Sequence, residues 1–139
     1  MKRFIAILLM ASTLLCGCND TRRRNAFVEN NDIRLQVGST VHFRYDPLTC
    51  QMAFSRDRKE FRAQTDNTSD YYSVVLSDIP VQTGETVSAD LTWTTETDIL
   101  TRNDLSLEVL KIDGDRIWLW SSSGRIGVSI VVMDDSTAQ

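Results

Sequence analysis

Residues 87–94, VSADLTWT, carry the clearest structural signal in the chain. Apolar Val87, Ala89, Leu91 and Trp93 occupy every second position, and Ser, Asp and Thr lie between them. Because successive side chains of a β-strand point to opposite faces, this alternation predicts a strand with one face in a core and one in water. A strand of this kind needs partners, and the flanking sequence supplies them.

Three strands are predicted on the C-terminal side. Residues 105–109 alternate and lead to Asp113-Gly114, a dipeptide typical of tight β-hairpin turns. Residues 117–119 lead to Ser123-Gly124, and alternation over 126–132 predicts the last strand. We expect residues 95–104, which lack this alternation, to form a loop.

Five strands are predicted on the N-terminal side, around residues 33–37, 41–45, 50–54, 61–63 and 72–76. About nine short strands, with turn signals mostly every 8–14 residues, predict an all-β fold with one small antiparallel domain. Short connections favour a meander of hairpins. Periodicity alone leaves a sandwich and a barrel equally open.

The N-terminal segment has the organisation of an export signal. Lys2 and Arg3 precede twelve mostly apolar residues, Phe4 to Leu15. As a helix these would rise about 18 Å, well short of the roughly 30 Å hydrocarbon core, so a membrane span is disfavoured.

The residues that follow, Leu15-Cys16-Gly17-Cys18, resemble the lipobox of bacterial lipoproteins. The resemblance covers about eighteen residues. It implies that Cys18 is the lipid-attachment site, that it carries three acyl chains, and that the protein is membrane-anchored in the bacterial cell envelope. We expect the outer membrane, at its periplasmic or surface face. The predicted organisation is a signal peptide over 1–17, a lipid-anchored flexible tether over 18–31, the β domain over 32–134 and a tail over 135–139.

Charge bears on the alternatives. Arg22–Arg24 lie just past the apolar run, and basic clusters prefer the cytoplasmic side, so a short membrane-associated helix with a cytosolic domain is the competing interpretation. Removal of residues 1–17 leaves 13 bases against 19 acids, a net charge of −6. A chain this acidic is not predicted to have the basic surface that nucleic-acid binding requires.

The catalytic inventory is sparse. Three cysteines and one histidine provide no zinc ligand set, no nucleophile motif is present, and we predict neither cofactor nor enzymatic activity. Cys50 is in phase with Met52 and Phe54 and is predicted to be a buried, reduced thiol. His42, by parity, is expected on the opposite face of its strand, away from Cys50.

The C-terminal hairpin is apolar on both faces. With Ile117 and Leu119 directed inward, a candidate interaction patch lies on the other face: Arg116, Trp118, Trp120 and Met133, near Leu110 and Val131. Trp and Arg are enriched at binding hot spots. The alternative is that a second sheet, or the 95–104 loop with Ile99 and Leu100, covers both tryptophans.

Charge is also divided along the chain. Residues 41–64 carry five bases and three acids, whereas residues 65–115 carry two bases and eleven acids. Such a split can steer a charged partner. We therefore expect a non-enzymatic binding or inhibitory module that acts on a protein partner, with a lipocalin-like carrier of a small apolar ligand as the alternative.

Overall fold

The computed structural model describes residues 20–67 and 69–133. The predicted signal peptide, Cys18 and the 135–139 tail lie outside these residues. The described part contains one helix, α1, over residues 20–29, and nine strands. The strands are β1 Arg34–Val37, β2 Thr40–Arg44, β3 Cys50–Ser55, β4 Glu60–Thr65, β5 Tyr71–Leu76, β6 Thr86–Thr94, β7 Ile99–Asp113, β8 Arg116–Ser121 and β9 Ile126–Val131.

All nine strands belong to one antiparallel sheet, in the order β2-β1-β9-β8-β7-β6-β5-β4-β3. Most neighbours are consecutive in the chain, so the predicted all-β meander is confirmed. The sheet curls into a half-barrel, so the described strands form one curved sheet and not a two-sheet sandwich. Because β1 pairs with β9, the consecutive strands β2 and β3 become the two edges of the sheet.

The long strand β7 joins two staggered halves of this sheet. Its first part pairs with β6 up to Glu108, and its second part, from Glu108, pairs with β8. Strand β7 has one bulge before Glu108 and one after it. In the first, Asp104 adopts a φ of 52° and its amide donates a hydrogen bond to the Asp90 carboxylate. In the second, Leu110 is the extra residue in the pairing with β8. Bulges strengthen the local twist, so they account for curling at β7.

The concave face of the sheet holds the core. The hydroxyl of Tyr72 on β5 donates a 2.7 Å hydrogen bond to the carbonyl of Ser129 on β9, and Phe43 on β2 meets the Tyr72 ring edge-on at 5.2 Å. Burial, with a contribution from the Asp32 carboxylate, raises the pKa of the Tyr72 phenol well above its usual range. The inward set predicted for the C-terminal strands is buried throughout: Leu107, Val109, Ile117, Leu119, Val128, Ile130 and Val132.

The prediction of a flexible tether is wrong for residues 20–29, which form α1. The segment contains strong helix formers, among them the three arginines Arg22–Arg24. Asn30 follows the helix. Its side-chain amide donates to the Ala26 carbonyl at 2.9 Å, and its backbone amide donates to the Phe27 carbonyl at 3.2 Å. This helix was not predicted because residues 20–29 lack a helical apolar period. No helix among the described residues has the length and apolar character needed to cross a bilayer.

The prediction of a 95–104 loop is also wrong over most of its length. Only residues 95–98 turn, and Ile99 already pairs with Thr94. The Thr95 amide bonds to the Asp98 carbonyl at 2.8 Å and closes the hairpin. Residues 101–104 are exposed and polar, so backbone pairing with β6, rather than side-chain alternation, holds them in the strand.

Candidate functional site

A cleft of about 580 Å³ lies at the tip of the β7–β8 hairpin. It contains two residues of the predicted patch, Arg116 and Trp118, while Trp120 and Met133 do not line it. The other lining residues come from β3, the hairpin turn, β9 and the segment before β1: Met52, Asp113, Asp115, Val131 and Asn31.

The hairpin turn places two carboxylates at the cleft. Gly114 has a φ of 60°, a conformation that costs little only without a Cβ, and Asp113 pairs with Arg116 across the turn. The predicted hairpin is therefore confirmed. The Asp115 carbonyl accepts a 2.8 Å bond from the Val132 amide, which fixes the turn to the end of β9.

Arg116 lies on the wall of the cleft. Its side chain is exposed, and its Nη1 donates a hydrogen bond to the Asn31 carbonyl. The guanidinium is thus held beside the segment that enters β1. Two carboxylates against one guanidinium give the cleft a net negative charge.

Both tryptophans of the patch are buried, Trp118 at 2% and Trp120 at 1% exposure. The interpretation in which both indoles are exposed is wrong, and their burial agrees with the alternative in that respect alone. Small residues lie opposite them on β9, Ser129 beside Trp118 and Gly127 beside Trp120, and leave room for the indoles. The Lys111 ammonium lies 4.9 Å from the Trp118 ring centroid.

The two cover layers expected from the sequence are not the ones observed. The described strands form one sheet, so no second sheet is present among them. Ile99 is 59% exposed, and Leu100 packs against the concave-face core, a cluster that does not contain the two indoles. Met133 is half-buried and packs against the same core. Partner binding by the patch stays a prediction.

An ion-pair cluster beside Asn31 was not anticipated from the sequence. Arg34, almost fully buried, binds Asp32 through two hydrogen bonds of 2.9 and 2.8 Å, and Arg44 reaches the same carboxylate at 2.8 Å. Burial would raise the pKa of Asp32, but the hydrogen bonds and charge of Arg34 and the charge of Arg44 outweigh it and hold that pKa below its usual value. The cluster joins β1, β2 and the segment that leads into them.

The two residues considered for nucleophilic chemistry have separate surroundings. Cys50 is a buried free thiol, as predicted, and its sulfur lies 3.6 Å from the Thr49 hydroxyl. The prediction that His42 faces away from Cys50 assumed regular alternation along β2. It does not apply, because His42 is the extra residue of a bulge in the β1–β2 pairing. Its ring lies 6.2 Å from that of Trp93.

No group of three or more His, Cys, Asp or Glu side chains suited to a metal ion occurs within the described ranges. Comparison of the chain with protein-family models, with curated proteins and with solved structures gave no match.

Proposed function

We propose that the protein is a lipid-anchored lipoprotein of the bacterial cell envelope whose β domain binds a protein partner. Support for the anchor is the Leu15-Cys16-Gly17-Cys18 motif after a twelve-residue apolar run. Support for binding is the cleft beside the β7–β8 turn, where exposed charge borders apolar side chains.

The chemistry of the cleft suits a basic side chain of the partner. Asp113 and Asp115 supply negative charge for a lysine or arginine head group, and Met52 and Val131 offer apolar contact for its methylene stem. Residues 65–115, which include both carboxylates, carry eleven acids and two bases, and this excess of negative charge favours approach of a cationic partner.

A non-enzymatic role is part of this proposal. Cys50 is buried, and the ring contact of His42 is with Trp93, so these residues offer no nucleophile–base pair at the cleft. A carrier of a small apolar ligand would need a cavity in the concave interior. The alternative has less support, because the rings of Phe43, Phe61 and Tyr72 pack together there.

Mass spectrometry of the N-terminal peptide of the mature protein tests the anchor. We expect a peptide that begins at Cys18 with a diacylglyceryl thioether and an acylated amine. The Cys18→Ala variant should leave the membrane fraction. An unmodified Cys18, or a variant that stays membrane-bound, contradicts the anchor.

Site-specific photo-crosslinking in intact cells tests the cleft. A photoreactive amino acid at Asn31, an exposed residue that lines the cleft, should give one discrete adduct with a protein of the envelope, and Asp113→Lys should abolish it. The matched control is the same photoreactive residue at Glu96, an exposed acid in the 95–98 turn. Equal adducts from both positions, or none from Asn31, overturn the proposed surface.

A further inference from the structure

The two edges of the sheet differ in how they are protected against pairing. Edge strand β2 contains a bulge and ends in Arg44, two features that discourage strand addition. Edge strand β3, CQMAFS, has neither a charge nor a proline, and its six pairs with β4 are regular. Among the described residues β3 has a strand partner on one side only.

The hydrogen-bond phase of β3 follows from one bond at its start. The Asp66 amide donates to the Thr49 carbonyl at 2.8 Å, so the Thr49 carbonyl is directed toward β4, while the Thr49 amide donates to the Asp46 carbonyl at 3.1 Å. Backbone groups alternate along a strand, and the regular pairing extends this phase to Gln51, Ala53 and Ser55. The residues between them direct their amides and carbonyls to the open edge.

Within the part of the chain that the structure describes, two residues keep a complete backbone donor and acceptor at that edge. The Cys50 amide is already bonded to the Asp46 carbonyl at 2.8 Å. Met52 and Phe54 therefore each present one N–H and one C=O in the plane of the sheet. These four groups, two residues apart, are the pattern that an antiparallel strand requires.

We propose that β3 pairs antiparallel with β3 of a second copy of this chain, around a two-fold axis at Ala53. In this register Met52 of each copy lies opposite Phe54 of the other, and four main-chain hydrogen bonds form. In this register both Met52 and Phe54 use their amide and their carbonyl. A shift by two residues would instead place Phe54 opposite Cys50, whose amide is already bonded to the Asp46 carbonyl.

The side chains fit this register. The two Ala53 residues meet at a position without main-chain hydrogen bonds, where strands are closest, about 4.5 Å between Cα atoms, and a methyl group suits that spacing. Neither strand carries charge, so no like charges face each other across the pair.

Charge at the ends of β3 favours the antiparallel arrangement. The turn after β3, residues 56–59, carries three bases and one acid, and the loop before it, residues 45–49, carries Asp46 and no base. Antiparallel pairing brings the basic turn of each copy beside the acidic loop of the other. Leu48, which is 87% exposed in that loop, gains apolar contact there.

Disulfide crosslinking of the purified full-length chain with oxidised glutathione tests the register, with Cys16→Ala, Cys18→Ala and Cys50→Ala as background. Ala53→Cys should give a dimer on non-reducing gels, because the expected Cα separation lies within disulfide range. Gln51→Cys is the matched control on the same face of the same strand. Its two copies would lie about 13 Å apart and should not crosslink. Equal crosslinking of both variants, or none with Ala53→Cys, overturns the proposal.

Analytical ultracentrifugation of the purified full-length chain provides the second measurement. A single strand pair buries less than the roughly 1,200 Å² of a stable complex, so association should be weak and concentration-dependent. Ala53→Lys places two ammonium groups at the axis and should abolish it, while Gln51→Lys should retain it. A monomer at every concentration, or equal loss in both variants, contradicts the pairing. The proposal does not rest on the anchor or on the cleft.

Discussion

The Tyr72 hydroxyl on β5 donates a 2.7 Å hydrogen bond to the Ser129 carbonyl on β9, across the concave face of the sheet. Four steps of the strand order separate the two strands, so the bond spans the curl rather than following it. The Ser129 hydroxyl also accepts the Arg34 amide at 2.8 Å, which ties β1 to the same residue. Tyr72 and Ser129 therefore connect the staggered halves of the half-barrel.

Tyr72→Phe should lower the free energy of unfolding by about 1–3 kcal/mol, because it removes one partner of a fully buried hydrogen bond. Urea denaturation monitored by circular dichroism measures the change. Tyr71→Phe is the control, since Tyr71 is only half-buried and contacts the Arg62 guanidinium over its ring. Equal losses in the two variants would show that the bond to Ser129 has no special role.

Stability should fall below about pH 4 in a way that depends on Asp32. The pKa of Asp32 is lower in the folded than in the unfolded protein, so its contribution is complete above the unfolded value and is lost as the pH falls through the folded one. The free energy of unfolding, measured from pH 5 to pH 2, should therefore depend less on pH in Asp32→Asn than in the wild type. The control is Asp57→Asn, in the exposed β3–β4 turn, which should keep the wild-type slope. Parallel curves for Asp32→Asn and the wild type contradict this expectation.

Cys50→Ala should cost on the order of 1–2 kcal/mol and leave function unchanged, because the thiol is a small apolar group in the core. A thiol reagent should react with native Cys50 far more slowly than with the urea-unfolded protein. Fast native labelling would refute the burial. Loss of partner binding with an unchanged fold would instead give the thiol a functional role.

Trp118→Ala should lower the free energy of unfolding by about 3–5 kcal/mol, as expected for truncation of a buried indole. Thermal and urea unfolding measure the loss. Val81→Ala is the control, because Val81 is a large apolar residue that is 81% exposed and should cost under about 0.5 kcal/mol. A small cost at Trp118 would mean that the indole is accessible in solution.

Much of the sheet was predictable from local patterns. Alternation over 87–94 and 105–109, with Asp113-Gly114, indicated strands and a hairpin that the structure contains. Burial of Cys50 followed from its phase with Phe54. These features depend on residues within a few positions of each other, and the pleat of a strand translates their order directly into faces.

The cleft was only partly predictable. Arg116 and Trp118 were identified from the hairpin pattern, but Met52, Asn31 and Val131 reach the same cleft from distant parts of the chain. No local pattern could have associated them. The Asp32 cluster was missed for the same reason, since Arg44 joins it only through the β1–β2 pairing.

Local sequence patterns specify which residues alternate, where the chain turns, and which faces of the strands are apolar, because these are short-range properties of the chain. Long-range strand pairing and packing specify that Trp118 and Trp120 are buried, that bulges shift His42 and Leu110 out of phase, and that β3 is an edge strand. Each of these outcomes depends on which strands become neighbours. That choice minimises the free energy of the whole sheet, where contacts between residues far apart in the chain outweigh local preference.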